Sequence, residues 1–115
     1  MIISIPATIK IAGFDYSINF VKYDKELQGD CAYGECSNVL RRIKVESGST
    51  TQQETNKVFL HELLEALNCC YLDSQLTHEQ IERLSYGLHQ ITEQFQLTFV
   101  QSEHIREVHK CKKHV

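Results

Sequence analysis

The chain has no tryptophan, a single proline and no apolar stretch near the ~20 residues that a bilayer-spanning helix requires. No membrane association is therefore expected. Basic charge is also scarce: 12 Lys and Arg against 15 Asp and Glu leave a net charge of -3, which gives no electrostatic reason for a nucleic-acid partner. Only the end is basic (Lys110, Lys112, Lys113), and so short a run reads as solvated tail. The start, MIISIPATIKIAGF, lacks basic residues ahead of its apolar ones, so no secretory signal is expected. Paired C-x-x-C spacing is missing too. The five cysteines (Cys31, Cys36, Cys69, Cys70, Cys111) are odd in number and lack zinc-finger spacing. They read as small thiols in a reducing cytosol rather than as a disulfide framework.

What remains is ordinary globular material. With 115 residues, 42% apolar and 23% charged, the chain suits one domain with a modest core. Residues 6–23 alternate apolar and polar positions on both sides of Ala12-Gly13. Ile9, Ile11, Phe14, Tyr16, Ile18 and Phe20 thus predict two strands joined by a tight turn. Gly29 to Gly34 reads as loop, and Val39 to Val45 as a further strand. The polar break SGSTTQ supplies a helix N-cap at Thr50 or Thr51.

From Glu54 the period becomes helical. Val58, Phe59, Leu60, Leu63, Leu64, Ala66 and Leu67 crowd together, which predicts a central helix covered on most sides. His61, Glu62 and Glu65 are the polar exceptions, and each needs a partner if buried. Thr77 and Gln80 form a capping box that opens a second helix. Ile81, Leu84, Leu88, Ile91 and Phe95 follow at three- and four-residue spacing, a stripe expected to pack on the central helix. Leu97 to Val100 suggests a short strand and Glu103 to Val108 a helical turn. The expected class is α+β: a small N-terminal antiparallel sheet packed on two main helices.

The stretch HELLEALN, residues 61–68, differs by one letter from the zinc-protease pattern H-E-x-x-H, with Glu65 where the second histidine would stand. Residues four apart on a helix project roughly 40° apart, so His61 and Glu65 can reach one ion. Glu62, beside His61, can hold a water on that ion. Zinc accepts carboxylate as well as imidazole, and a catalytic site needs three protein ligands. His78, Glu79 and Glu82 are the candidates for the third. If the apolar stripe faces the central helix, His78 lies roughly 110° from its centre, and Glu79 and Glu82 roughly 150°. His78 is therefore the least outward-facing, and it restores a two-histidine, one-carboxylate set. Tyr86 and His89 are candidates to donate to an oxyanion. His104, His109, Cys111 and His114 cluster in the tail but lack a clear fold to fix a second site.

The order of PATIKIAGFDYSINFV, FLHELLEAL and LTHEQIERLSYGLHQI resembles small phage and prophage zincin-like proteins of the H-E-x-x-H type, distant relatives of the ImmA/IrrE metallopeptidases. The resemblance covers about residues 4–95, which implies a minimal zincin-like domain over 1–95 and an extension over 96–115. Such proteins usually read H-E-x-x-H and, later, L-T-E-E-Q-V-E-R-L-A. Here a histidine and an acid have exchanged places, at Glu65 and His78. The resemblance implies a cytoplasmic protein in a bacterial host that hydrolyses a peptide bond in a protein or peptide partner. One zinc ion would be held by His61, Glu65 and His78, with Glu62 as the proton-transferring base. A non-catalytic zincin-like module that binds a metal or a partner is the alternative, and a phage structural or regulatory protein without metal is a third.

Overall fold

Alternation in residues 8–21 produces a hairpin. In the computed structural model, which describes residues 1–22, 33–47 and 50–101, β2 (Thr8–Ile11) pairs antiparallel with β3 (Phe14–Val21). Ala12 and Gly13 take φ of 51° and 83°, the left-handed pair that a two-residue type I′ turn demands. Tyr16, Ile18 and Phe20 all point into the core.

The next strands differ from expectation in their bounds. β4 (Gly34–Ser37) starts at the last residue of the expected loop and was not anticipated as a strand, and β5 spans Arg42–Glu46 rather than starting at Val39. Val39 and Leu40 lie in a turn, 92% and 63% exposed. The run breaks at Arg41, whose φ of 52° is left-handed and whose guanidinium lies 3.8 Å from the centroid of the Phe14 ring.

These four strands form one sheet in the order β2-β3-β5-β4. The expected antiparallel sheet is in fact mixed: β2/β3 and β4/β5 are antiparallel, whereas β3/β5 is parallel. β5 takes the interior place because Ile43 and Val45 are fully buried, and β4 is left at the edge. A separate parallel pair joins β1 (Ile2–Ser4) to β6 (Thr98–Val100).

Helix α1 (Gln52–Leu72) is capped by Thr51, whose side chain accepts from the Glu54 N–H. It lies across β4, β5 and β6 and carries Phe59, Leu60 and Ala66 into the core. Phe59 links the layers, with ring centroids 5.4 Å from Phe20 and 5.2 Å from Phe99. The packed unit therefore runs past residue 95, the boundary expected from sequence. Phe99 is in the core, and the Gln101 side chain accepts from the Phe20 N–H and donates to the Ile18 and Pro6 carbonyls. The helical turn and the histidine cluster expected in the tail lie outside the described residues, as do Cys31 and Cys111.

Helix α2 (His78–Gln94) opens with the expected Thr77–Gln80 capping box and packs on α1. Its rotation differs from expectation. Ile81, Ser85 and Thr92 face inward, whereas Leu84, Leu88, Ile91 and Phe95 are exposed. The inward face is thus turned by roughly 60° from the apolar stripe. Beside this face Glu93 accepts from Asn56 and from Gln53 of α1, at 3.5 Å each.

Candidate metal centre

Two devices bring α2 to the middle of α1. Asp73 and Ser74 adopt left-handed backbone (φ 49° and 58°), and both N–H groups return to the Asn68 carbonyl, closing α1. The buried Asn68 side chain then clamps the connection. Its amide donates to the Leu76 carbonyl at 3.1 Å, and its oxygen accepts from the Leu76 N–H at 3.0 Å. The capping box starts α2 at the next turn, so His78 enters at the first helical position.

His78 arrives beside His61. The two rings meet edge to face with centroids 5.1 Å apart. One ligand atom each from His61, Glu65 and His78 lies within 4.8 Å of the others, and no other group of described His, Cys, Asp or Glu side chains meets that condition. With Ile81, Ser85 and Thr92 defining the inward face, His78 lies roughly 40° from its centre, Glu82 roughly 80° and Glu79 roughly 140°. The stripe used from sequence placed His78 on the flank. The true rotation brings it closer.

The other candidates are engaged elsewhere. Glu79 is exposed and pairs with Arg83 at 3.7 Å. Glu82 accepts from the Tyr86 hydroxyl at 3.2 Å, and His89 Nε2 lies 3.2 Å from the Glu93 carboxylate.

Electrostatics favour the ligand forms. His61 is 9% exposed, and burial pulls its pKa below the usual range against the opposing pull of Glu65. A neutral imidazole is what a metal requires. Glu62, at 4% exposure, has its carboxyl pushed up to about 8, first by burial and then by the charges of Glu65 and Glu35. Its carboxyl has no hydrogen-bond or ion-pair partner among the described residues. It faces β4 at Gly34, where a methyl group would sit 2.8 Å from Glu62 Oε2 and collide with Val58 Cγ1. Only glycine lets the edge strand close over this side chain.

The residues fit zinc in chemistry and reach. Tetrahedral zinc with ligand bonds of about 2.0–2.1 Å holds its donors about 3.4 Å apart. The widest separation here would have to close by about 1.4 Å, within the swing of an exposed first-turn histidine.

Next to His61 and Glu62 is a cleft of about 250 Å³, lined also by Tyr33, Lys57, Glu82 and Tyr86. Tyr86, one of the two oxyanion candidates, thus shares a cavity with Glu62. The sequence reading had missed Tyr33, Gly34 and Lys57. Lys57 had a signal: it is four residues before His61, hence on the same helical face. Gly34 had none, because its role depends on a strand that docks from elsewhere in the chain.

Among the described residues Cys36, Cys69 and Cys70 are free. Tyr16 gathers two of them: its hydroxyl donates to Asn38 at 2.8 Å and lies 3.2 Å from Cys70 Sγ, while Cys36 Sγ donates to Asn38. Burial pushes the Cys36 thiol up to about 12, so it stays protonated and inert. No helix of the described residues is long and apolar enough to cross a membrane. No family model matches the chain, and neither the curated proteins nor the solved structures contain a match to it.

Proposed function

We propose that this protein is a zinc-dependent peptidase in which His61, Glu65 and His78 hold the ion and Glu62 transfers protons. The observation that carries this reading is the meeting of those three ligand atoms within 4.8 Å, one residue from a buried carboxyl that also lines a cleft. Bound there, zinc would supply Lewis acidity and a water acidified towards pKa 7. Glu62 takes the proton from the attacking water and later delivers it to the leaving amine. A carboxylate beside the ion can accept a proton from that water and release it again within reach of the leaving group. Tyr86 lines the same cleft; its hydroxyl, which donates to Glu82 in the free protein, would turn from it to donate to the carbonyl oxygen under attack. β4 lies over Glu62 at the edge of the sheet formed by the described residues, and an extended peptide would add to that edge.

The test is elemental analysis of protein purified without an affinity tag, paired with a cleavage screen against host and phage proteins. About one zinc per chain is expected. Less than a tenth of an equivalent, unchanged after zinc soaking, refutes the reading. Glu62→Gln should keep the zinc and abolish cleavage. The exposed apolar flank of α2 (Leu84, Leu88, Ile91, Phe95) favours a second reading, a partner-binding module with a structural ion. Under that reading Glu62→Gln leaves function unchanged.

A further inference from the structure

The cleft beside His61 and Glu62 has a chemistry that the metal ligands do not use. Its walls include two tyrosines, Tyr33 and Tyr86, each nearly half exposed, and its lining carries Glu54, Glu82 and Glu62, the last without a hydrogen-bond or ion-pair partner among the described residues. Against these acids stands one ammonium among the described lining residues, Lys57. Lys57 Nζ sits 4.9 Å from the centroid of the Tyr86 ring and 3.5 Å from Glu54 Oε1. It already displays how the cleft treats a cation: an aromatic face below and a carboxylate beside it. Its hold is weak, because a partly exposed pair three residues apart on a helix contributes little and the lysine stem is free to swing to water. The second carboxylate, Glu82, is held towards the same ring by the Tyr86 hydroxyl.

We propose that this cleft seats a basic side chain of the substrate, an arginine or lysine next to the scissile bond, on the Tyr86 face between Glu54 and Glu82, displacing Lys57 to solvent. This rests on the peptidase reading for its adjacency to the reacting bond. An acidic side chain is excluded by charge: it would gain Lys57 and face Glu54 and Glu82 together. A purely apolar one would strip water from two carboxylates and an ammonium without pairing any of them. The carboxyl of Glu62 lines the same cavity and has no hydrogen-bond or ion-pair partner among the described residues, which adds to the acidic character of the cleft.

Amino-acid hydroxamates, which chelate zinc and present one side chain, provide the probe. With the zinc-loaded full chain, calorimetry should find arginine hydroxamate at least about tenfold tighter than norleucine hydroxamate, the scale of a desolvated cation–aromatic contact, with glutamate hydroxamate weakest. The double variant Glu54→Gln, Glu82→Gln should erase the preference. Lys57→Gln, which vacates the Tyr86 face, should enlarge it. Equal affinities within about twofold, or glutamate as the tightest, overturn the assignment and leave the metal reading standing. A second arm separates the two ideas in the other direction. N-acetylarginine amide, added to chelator-treated protein, should shift the Tyr86 ring resonances in the wild type and not in the double variant. If that occurs in a protein that never binds zinc, the cleft assignment survives and the peptidase reading falls; no shift overturns the cleft assignment.

Discussion

Replacing Glu62 by glutamine tests the environment of the site separately from its metal. The side chain is 4% exposed, and its carboxyl is pushed up to about 8 from an ordinary 4.5, chiefly by burial. A group whose folded pKa is raised binds more protons when folded than when unfolded. Its stabilising contribution is therefore complete below about 4.5 and is lost as pH rises through about 8. At about 1.36 kcal/mol per unit, the loss amounts to up to about 5 kcal/mol, a large share of a small domain's stability. Urea unfolding of chelator-treated wild type and Glu62→Gln at intervals from pH 5 to 9 reads it directly. The two should be similar near pH 5, and the variant should become the more stable as pH rises. Zinc should flatten the wild-type slope, because a cation beside Glu62 favours its charged form. A pH-independent difference between the two proteins would refute the view that Glu62 is a desolvated acid.

Other expectations concern how the site is assembled. His78→Ala should weaken zinc binding at least about 100-fold, more than loss of a typical supporting residue, while Glu79→Ala leaves it unchanged; competition with a chromogenic chelator distinguishes them. Gly34→Ala should cost about 1–3 kcal/mol in urea unfolding, because the added methyl meets Val58 and Glu62, and Val58→Ala should restore part of it. No cost would mean that β4 does not press on Glu62. Asn68→Ala removes both bonds to Leu76 and should cost about 1–3 kcal/mol while lowering zinc affinity, since the start of α2 is then unclamped. Unchanged affinity would show that the capping box alone places His78.

Much of this was legible in the residues. Strand alternation marked Tyr16, Ile18 and Phe20 as buried, and cap chemistry marked Thr77 as one helix start and narrowed the other to Thr50 or Thr51, of which Thr51 is the cap, because both signals are local. Spacing alone placed His61 and Glu65 on one face. Two errors came from treating apolar content as orientation. Val39 and Leu40 suggested strand but sit in a turn stabilised by the Arg41–Phe14 stack, and the α2 stripe suggested burial but lies on the flank. There Ile81, Ser85 and Thr92 are the buried residues instead, a face that apolar spacing alone does not mark. The parallel β3/β5 pairing and the approach of Gly34 to Glu62 join segments distant in sequence, so no local pattern carries them.

The clamp at Asn68 has a consequence for the order of assembly. All three ligands lie within residues 61–78, on two helices joined by a short closed connection, so bringing them together costs little chain entropy. The environment of Glu62, in contrast, exists only once an edge strand from far earlier in the chain has docked over it. On the proposed reading, ion capture would be a property of a helical hairpin, and the environment of Glu62 a property of the finished fold. A chain whose hairpin has formed before its sheet closes would hold metal early and acquire its base last, so the chemistry switches on only when folding is complete.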